Sequence, residues 1–480
     1  MGLANRVSSG IVWNVAEQFG RRGVTVLTTL LLAYFLAPED FGLLAMLAMF
    51  IALANALMES GFKEALIRMK SPTQADYSTA FFANIGLGLI AAVLLIIVAP
   101  YVAAFYNEPE LVDLIRVMSI AIPINALQMV QISKLSRDLN FSTQFKAILP
   151  ASIISSMIAI GFAYMDYGVW ALIFQMISSS IFISLFLWTQ NIWRPSLTFS
   201  IDSLKRMYFF GYKLFLSKVI DVVFKNLSVA LIAKFYATTL AGFYYFAERI
   251  KEILVMQVVV AIQNVTYPAL ATKQDDNDQL KLGYSKLMKV VSYLIFPFVL
   301  IIASLADLIF EVVFPDKWQP VVMYLQLMLL TAVFLPLHAL NLNILNVKGR
   351  SDLFLLLEVI KKTLIVIVLF FTIQHGVVYV LVGQFFLSII AYFINSYFTN
   401  SLIGYSVGEQ IKDFMPNLLL SSAIAISLYY FQMNLNWFPL VELIVLGVLG
   451  IVLYVLCSLL LKLEGIKLFK FVLLSKFNRE

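Results

Sequence analysis

Two apolar stretches of this chain are interrupted by residues that lipid does not tolerate. Near the start, Asn14, Glu17, Gln18, Arg21, Arg22, Thr25 and Thr28 fall within one stretch; two hundred residues on, Lys213, Lys218, Asp221, Lys225 and Ser228 fall within another. Spacings of three and four put Gln18, Arg21, Thr25 and Thr28 on one helix face, and Lys218, Asp221, Lys225 and Ser228 on one face of the second helix. Arg21, Arg22, Lys218, Asp221 and Lys225 lie deep in their segments, where each would cost about 2.5 to 3.5 kcal/mol facing lipid. Together that is roughly 12 to 17 kcal/mol, as large as the stability of an ordinary domain. These side chains must therefore face water or one another. Glu248, Arg249, Lys251 and Glu252 add charge at mid-depth of a further stretch, and Glu59 lies near one end of another. The competing structural explanation is local pairing, of Glu17 with Arg21 and of Asp221 with Lys218 or Lys225.

The elements that must position these residues are transmembrane helices. With 61% hydrophobic and 13% charged residues and a mean hydropathy of +0.90, the chain leaves almost no room for a water-facing domain. It reads as an all-α polytopic membrane protein. A bilayer core of ~30 Å asks for about 20 apolar residues per helix. Helices are expected near 10–36, 41–62, 79–105, 111–133, 145–165, 168–190, 208–236, 240–265, 286–313, 320–346, 354–374, 377–400, 415–432 and 438–461, about fourteen in all. Lys63, Arg68, Lys70, Lys134, Arg137, Lys146, Arg194, Lys205, Arg206, Lys273, Lys348, Arg350 and the tail from Lys462 to Arg479 fall on one set of alternate connections. The other set holds Glu39, Asp40, Glu108, Glu110, Asp166 and Asp316, with Lys317 its only clear cation, so the positive-inside rule makes both termini cytoplasmic. The first apolar stretch continues into a helix without a cleavage pattern, so no signal peptide is expected. A single cysteine, Cys457, and two histidines allow no disulfide and no plausible metal cluster.

The polar positions recur in register. Ala33-Tyr34-Phe35-Leu36-Ala37 with Gly42 aligns on Ala233-Lys234-Phe235-Tyr236-Ala237 with Gly242, at an offset of 200 residues. Pro123-Ile124-Asn125-Ala126-Leu127-Gln128, with Arg137 and Phe141, aligns on Pro336-Leu337-His338-Ala339-Leu340-Asn341, with Arg350 and Phe354, at 213. The extra residues are expected in the polar connection from Lys273 to Asp278. Short surface helices are expected at Gly2 to Ser9, at Phe199 to Met207 with Ser200 or Asp202 as its cap, and from the capping box at Ser406 and Glu409 to Asp413. They divide the chain into a six-helix lobe at 1–200, a pseudosymmetric six-helix lobe at 201–405, and a C-terminal helix pair with a cytoplasmic tail at 406–480. Membrane proteins of two like halves carry their substrate site between them, which points to a transporter. Pro123, Pro297 and Pro336 are expected to kink their helices, and His338 to make a helix-packing hydrogen bond.

Leu36-Ala37-Pro38-Glu39-Asp40-Phe41-Gly42 resembles the turn after the first helix of bacterial polysaccharide transporters, a branch of the multidrug/oligosaccharidyl-lipid/polysaccharide exporter superfamily. Asp76-Tyr77-Ser78-Thr79-Ala80-Phe81, Ala99-Pro100, Glu108-Pro109-Glu110-Leu111, Gly242-Phe243-Tyr244 and Tyr267-Pro268-Ala269-Leu270 resemble the same group, in order, across the first ten helices. The resemblance implies a V-shaped pair of lobes and a flippase, carrying undecaprenyl-diphosphate-linked oligosaccharides across the bacterial cytoplasmic (inner) membrane for surface polysaccharide biosynthesis. A diphosphate needs Arg or Lys partners, and Arg21, Arg22, Lys218, Lys225 and Arg249 are the candidates for that cavity. Glu17, Asp221, Glu248 and Glu252 make it less uniformly basic than in related peptidoglycan-precursor flippases, and are candidates for ion coupling or gating. No cofactor is expected, with H+ or Na+ as candidate coupling ions. The expected partners are the lipid-linked oligosaccharide, membrane lipids, a polysaccharide polymerase and a chain-length regulator, with no nucleic acid.

Two other functions stay open. A cation-coupled multidrug antiporter of the same superfamily would use Asp221 or Glu17 to exchange a proton or Na+. A membrane glycosyltransferase or polymerase would use Glu39-Asp40, but its acceptor needs a sizeable outer loop and every outer connection here is short. The chain is therefore expected not to be an enzyme.

Overall fold

The computed structural model describes residues 3–190, 192–435 and 437–469, which contain helices and no strand. The first helices are α1 (Leu3–Phe35), α2 (Pro38–Glu59), α3 (Phe62–Arg68), α4 (Gln74–Tyr106), α5 (Leu111–Ser119), α6 (Ala121–Arg137), α7 (Phe141–Tyr164), α8 (Trp170–Thr189) and α9 (Ile201–Phe235). Next, α10 (Thr238–Lys251) passes through a π-helical turn at Glu252–Met256 into α11 (Gln257–Ala271). The rest are α12 (Asn277–Ser304), α13 (Ala306–Val313), α14 (Val321–Ala332), α15 (Leu335–Val347), α16 (Ser351–Thr372), α17 (Val377–Ile403), α18 (Val407–Asn434) and α19 (Pro439–Leu460). Packing divides the chain into two compact units, Met1–Gly242 and Phe243–Glu480. This partition differs in kind from the sequence repeat: α9, which opens the second repeat, lies against α2 and α4 and so falls within the first unit.

Ten helical segments among the described residues are long and apolar enough to cross a membrane. Four others, α1, α9, α10 continued by α11, and α16, reach comparable length but are interrupted by charge. They carry the charges picked out above or, in α16, Glu358, Lys361 and Lys362.

Local rules set the helix starts. Thr73 and Asp76 form a capping box on α4, with Asp76 N 3.3 Å from Thr73 Oγ1 and Thr73 N 2.8 Å from Asp76 Oδ2. Ser406 and Glu409 do the same for α18, and Ser200, rather than Asp202, caps α9 by accepting from Ser203 N at 3.2 Å. The expected surface helices at 199–207 and 406–413 are not separate: they are the first turns of α9 and α18. At 35 residues α9 is about 52 Å long, well over a ~30 Å hydrocarbon core, so it cannot lie wholly within that core. The first of the three, at Gly2 to Ser9, is likewise not separate, because α1 runs without a break from Leu3, whereas Gly2, the side chain of Asn14 and the tail beyond residue 469 lie outside what the structure describes.

The repeat is visible in helix boundaries. α1 ends at Phe35 and α2 begins at Pro38; α9 ends at Phe235 and α10 begins at Thr238, an offset of 200. It is 203 between the starts of α4 and α12 and 210 between those of α5 and α14. The connections 69–73 and 272–276 have equal length, so the extra residues lie elsewhere than in the expected polar loop: part in α10–α11, which contains the π-helical turn, and part between α12 and α14. Arg137 and Arg350 are likewise not equivalent. Positive φ at Leu139 (55°) and Gly349 (67°) ends the preceding helices, and the next amides, Asn140 N and Arg350 N, donate to Leu135 O at 2.9 Å and Leu345 O at 2.8 Å. Arg350 therefore occupies the place of Asn140. The helices break just before Pro123 and Pro336, whereas α12 runs through Pro297 unbroken.

In the first unit, Phe62, Leu66, Tyr77, Phe81, Met129, Val130, Trp193 and Met207 form a buried cluster that fixes α3, α4, α6 and the start of α9. In the second, Tyr293, Ile301, Leu305, Leu308, Ile424, Leu428, Leu446 and Tyr454 join α12 and α13 to α18 and α19.

Candidate functional site

α1 rests on α7. Trp13 packs on Phe145 with ring centroids 5.4 Å apart, and Thr28 Oγ1 lies 2.7 Å from Ser156 Oγ in a buried contact. Thr28 thus leaves the polar stripe and serves packing. Arg21 is exposed and its Nε donates to Glu17 Oε1 at 3.1 Å, while Glu17 is only 9% exposed. Arg22 and Gln18 are half-buried. The α1 stripe is therefore part packing surface and part exposed guanidinium, with Glu17 positioning Arg21.

On α9, Lys218, Asp221 and Lys225 are exposed and share a face. Lys218 Nζ pairs with Glu59 Oε2 at the end of α2, a cross-helix partner the sequence did not assign. Asp221, Lys225 and Ser228 are each engaged in further polar or electrostatic contacts.

Glycines bring α2 close to α9 at one end and to the start of α10 at the other. A Cβ on Gly211 of α9 would sit 2.4 Å from Ser60 O, and one on Gly61 would sit 2.7 Å from Gly211 Cα. Gly61 also holds φ at +74°, so only glycine serves both demands. At the other end the contact is reciprocal. A Cβ on Gly42 would lie 2.1 Å from Thr238 O, and one on Gly242 would lie 1.8 Å from Pro38 O. Pro38 and Thr238, like Gly42 and Gly242, are the same position of the repeat, so equivalent residues exchange places across a local twofold. Glu39 and Thr239, again 200 residues apart, hydrogen-bond at 2.5 Å, and Thr238 donates to Glu108.

In the second unit, Glu248, Arg249, Lys251 and Glu252 form two i,i+3 pairs, Lys251–Glu248 and Arg249–Glu252, each at 3.5 Å. The π-helical turn starts at Glu252; such bulges recur at functional sites because they re-aim side chains. Sequence reading missed a third pair, Lys361–Glu358 on α16, although both residues stand out from their apolar neighbours in Leu353–Val368. His338 bridges α15 to α17, with Nε2 3.2 Å from Ser388 Oγ and Nδ1 3.1 Å from Asn395 Nδ2, which is helix-packing geometry. No group of three His, Cys, Asp or Glu side chains that could hold a metal occurs among the described residues.

The arrangement offers exposed cationic groups on α1 and α9, each with a carboxylate nearby, on helices otherwise of membrane-spanning length. The sequence pattern of the family described as Polysaccharide biosynthesis protein matches residues 31–323, more than half of the chain. The chain belongs to that family. The chain is 24% identical over 390 residues to the teichuronic acid biosynthesis protein TuaB of Bacillus subtilis (strain 168), covering 81% of each chain. It is 26% identical over 373 residues to the lipopolysaccharide biosynthesis protein WzxC of Escherichia coli (strain K12), covering 76% of this chain and 75% of that one. Its fold is similar to that of the lipid II flippase MurJ in an inward closed conformation, with a TM-score of 0.76 at 15% identity over 94% of this chain and 99% of that one.

Proposed function

We propose that the protein is a flippase that moves undecaprenyl-diphosphate-linked oligosaccharide repeat units across the bacterial inner membrane by alternating access. The observation that carries this is the set of exposed charges on α1 and α9, Arg21, Lys218 and Lys225 with Asp221, in a chain of this family. In this reading all four charged helices span the membrane alongside the ten apolar segments, both termini are cytoplasmic, and 1–200 and 201–405 are the two pseudosymmetric lobes, with 406–480 appended. Arg21, Arg22, Lys218, Lys225 and Arg249 bind the diphosphate, because an ammonium or guanidinium replaces lost water with charge-assisted hydrogen bonds. Glu17, Asp221, Glu248 and Glu252 serve ion coupling by H+ or Na+, or gating. A polymerase and a chain-length regulator receive the product. The flippase name of the MurJ structure and the surface polymers in the names of TuaB and WzxC support the reading.

The test is polymer export from cells carrying Arg21→Ala, Lys225→Ala or both. Each lost contact to phosphate weakens binding by about 1.5 to 3 kcal/mol, so export per molecule of protein in the membrane drops in the single variants and is abolished in the double variant. Normal export from the double variant refutes the role.

A further inference from the structure

A basic cavity of about 430 Å³ opens in the first unit where the α3–α4 connection meets the start of α9. Its walls include Arg68, Lys70, Ser71, Arg206 and Phe210, and Asp76 is the only acid lining it. Asp76 is already committed: Thr73 N and Thr73 Oγ1 each donate to its Oδ2 at 2.8 Å, and Arg206 Nη2 donates to its Oδ1 at 3.0 Å. Arg68 lies over the Phe210 ring at 4.5 Å, which fixes the guanidinium without neutralising it, and Lys70 is exposed. Arg137 consolidates the floor. Its guanidinium donates to Leu66 O at 3.1 Å, Ile67 O at 3.2 Å and Lys70 O at 2.6 Å, and also to Met69 O, covering the carbonyls at the end of α3 that would repel an anion. Cations, a hydroxyl and an aromatic wall are left facing the space, whose volume falls within the ~300–1,000 Å³ usual for small-ligand sites.

The flanks point to a membrane. Leu197 is 98% exposed, and Phe199, Ile201, Tyr208 and Phe209 beside it are also exposed, although α9 is capped and ordered there. Apolar and aromatic side chains bordering a basic cavity place its rim in the headgroup layer. We propose that this cavity binds the phosphate of an anionic phospholipid headgroup, apart from Arg21, Lys218 and Lys225 and independently of cargo.

The full-length protein in neutral detergent is melted with added phosphatidylglycerol, phosphatidylcholine or inorganic phosphate. Phosphatidylglycerol is expected to raise Tm above the phosphatidylcholine value in the wild type, in Arg68→Lys/Lys70→Arg, and in Lys146→Gln/Lys205→Gln, which removes two charges outside the cavity. The increment is expected to fall to less than about half in Arg68→Gln/Lys70→Gln, and to fall measurably in Lys70→Gln, whose exposed side chain leaves the fold intact. Equal shifts from the two lipids, or an undiminished increment in both glutamine variants, overturns the site. An equal shift from inorganic phosphate overturns the assignment to a lipid headgroup.

Discussion

Arg21 has two roles that one substitution mixes, because it both presents a charge and neutralises Glu17, which is nearly buried. Removing it leaves a carboxylate unpaired in a poorly solvated place, which destabilises the chain whatever the effect on cargo. Arg21→Ala should therefore lower both membrane abundance and export. Adding Glu17→Gln should restore abundance, read by immunoblot, but not export, read by surface polymer. Recovery of both would make Arg21 a purely structural residue. Lys218 and Glu59 separate more cleanly, since the pair joins two helices. Glu59→Lys and Lys218→Glu singly place like charges together and should lower export, whereas the double exchange should recover most of it if pairing is what matters. The charged residues were legible as such in the sequence; which partner each would take was not, because partners such as Glu59 and Lys218 are 159 residues apart.

The close contact between the starts of α2 and α10 depends on having no side chain at Gly42 and Gly242. A methyl group 2.1 Å from a carbonyl oxygen cannot be accommodated, and the offending atoms are backbone, so the helices must separate. Overpacking of this kind costs about 1 to 3 kcal/mol. Gly42→Ala should accordingly slow bridging of Glu39→Cys and Thr239→Cys by a short bis-thiol reagent in a Cys457→Ser background. Bridging as fast as in the unsubstituted pair would show that the contact does not depend on the glycine. The repeat in sequence announced equivalent glycines at these positions; their mutual contact follows from the local twofold and needed coordinates.

Transport by alternating access requires a seam that opens, and the crossing of Pro38 to Gly42 with Thr238 to Gly242 is a candidate at the scale of the whole molecule. Bridging residues 39 and 239 should stop polymer export, and reduction should restore it; undiminished export with complete bridging would exclude opening at this seam. Topology is tested separately. Single cysteines at Lys134 and Lys348 should both resist a membrane-impermeant thiol reagent in intact cells and react in inverted vesicles. Labelling of one from outside would break the equivalence of the two repeats.

Composition and helical periodicity determined that this chain is a helical membrane protein with charge in a few of its helices, because burying apolar surface in lipid and closing backbone hydrogen bonds locally are properties of segments. The turns around Gly42 and Gly242, the cap at Ser406 and the choice of Ser200 or Asp202 for α9 were legible for the same reason. The tertiary structure alone decided that Thr28 packs on Ser156, that Arg137 reaches the carbonyls ending α3 while its sequence match Arg350 pairs with Asp352 at the start of α16, and that Lys218 meets Glu59. Each of these joins residues whose spacing carries no periodic signal, or whose register shifts by a few residues between the repeats. Contacts of that kind are set by how helices cross, and crossing depends on where side chains are absent as much as on where they are charged.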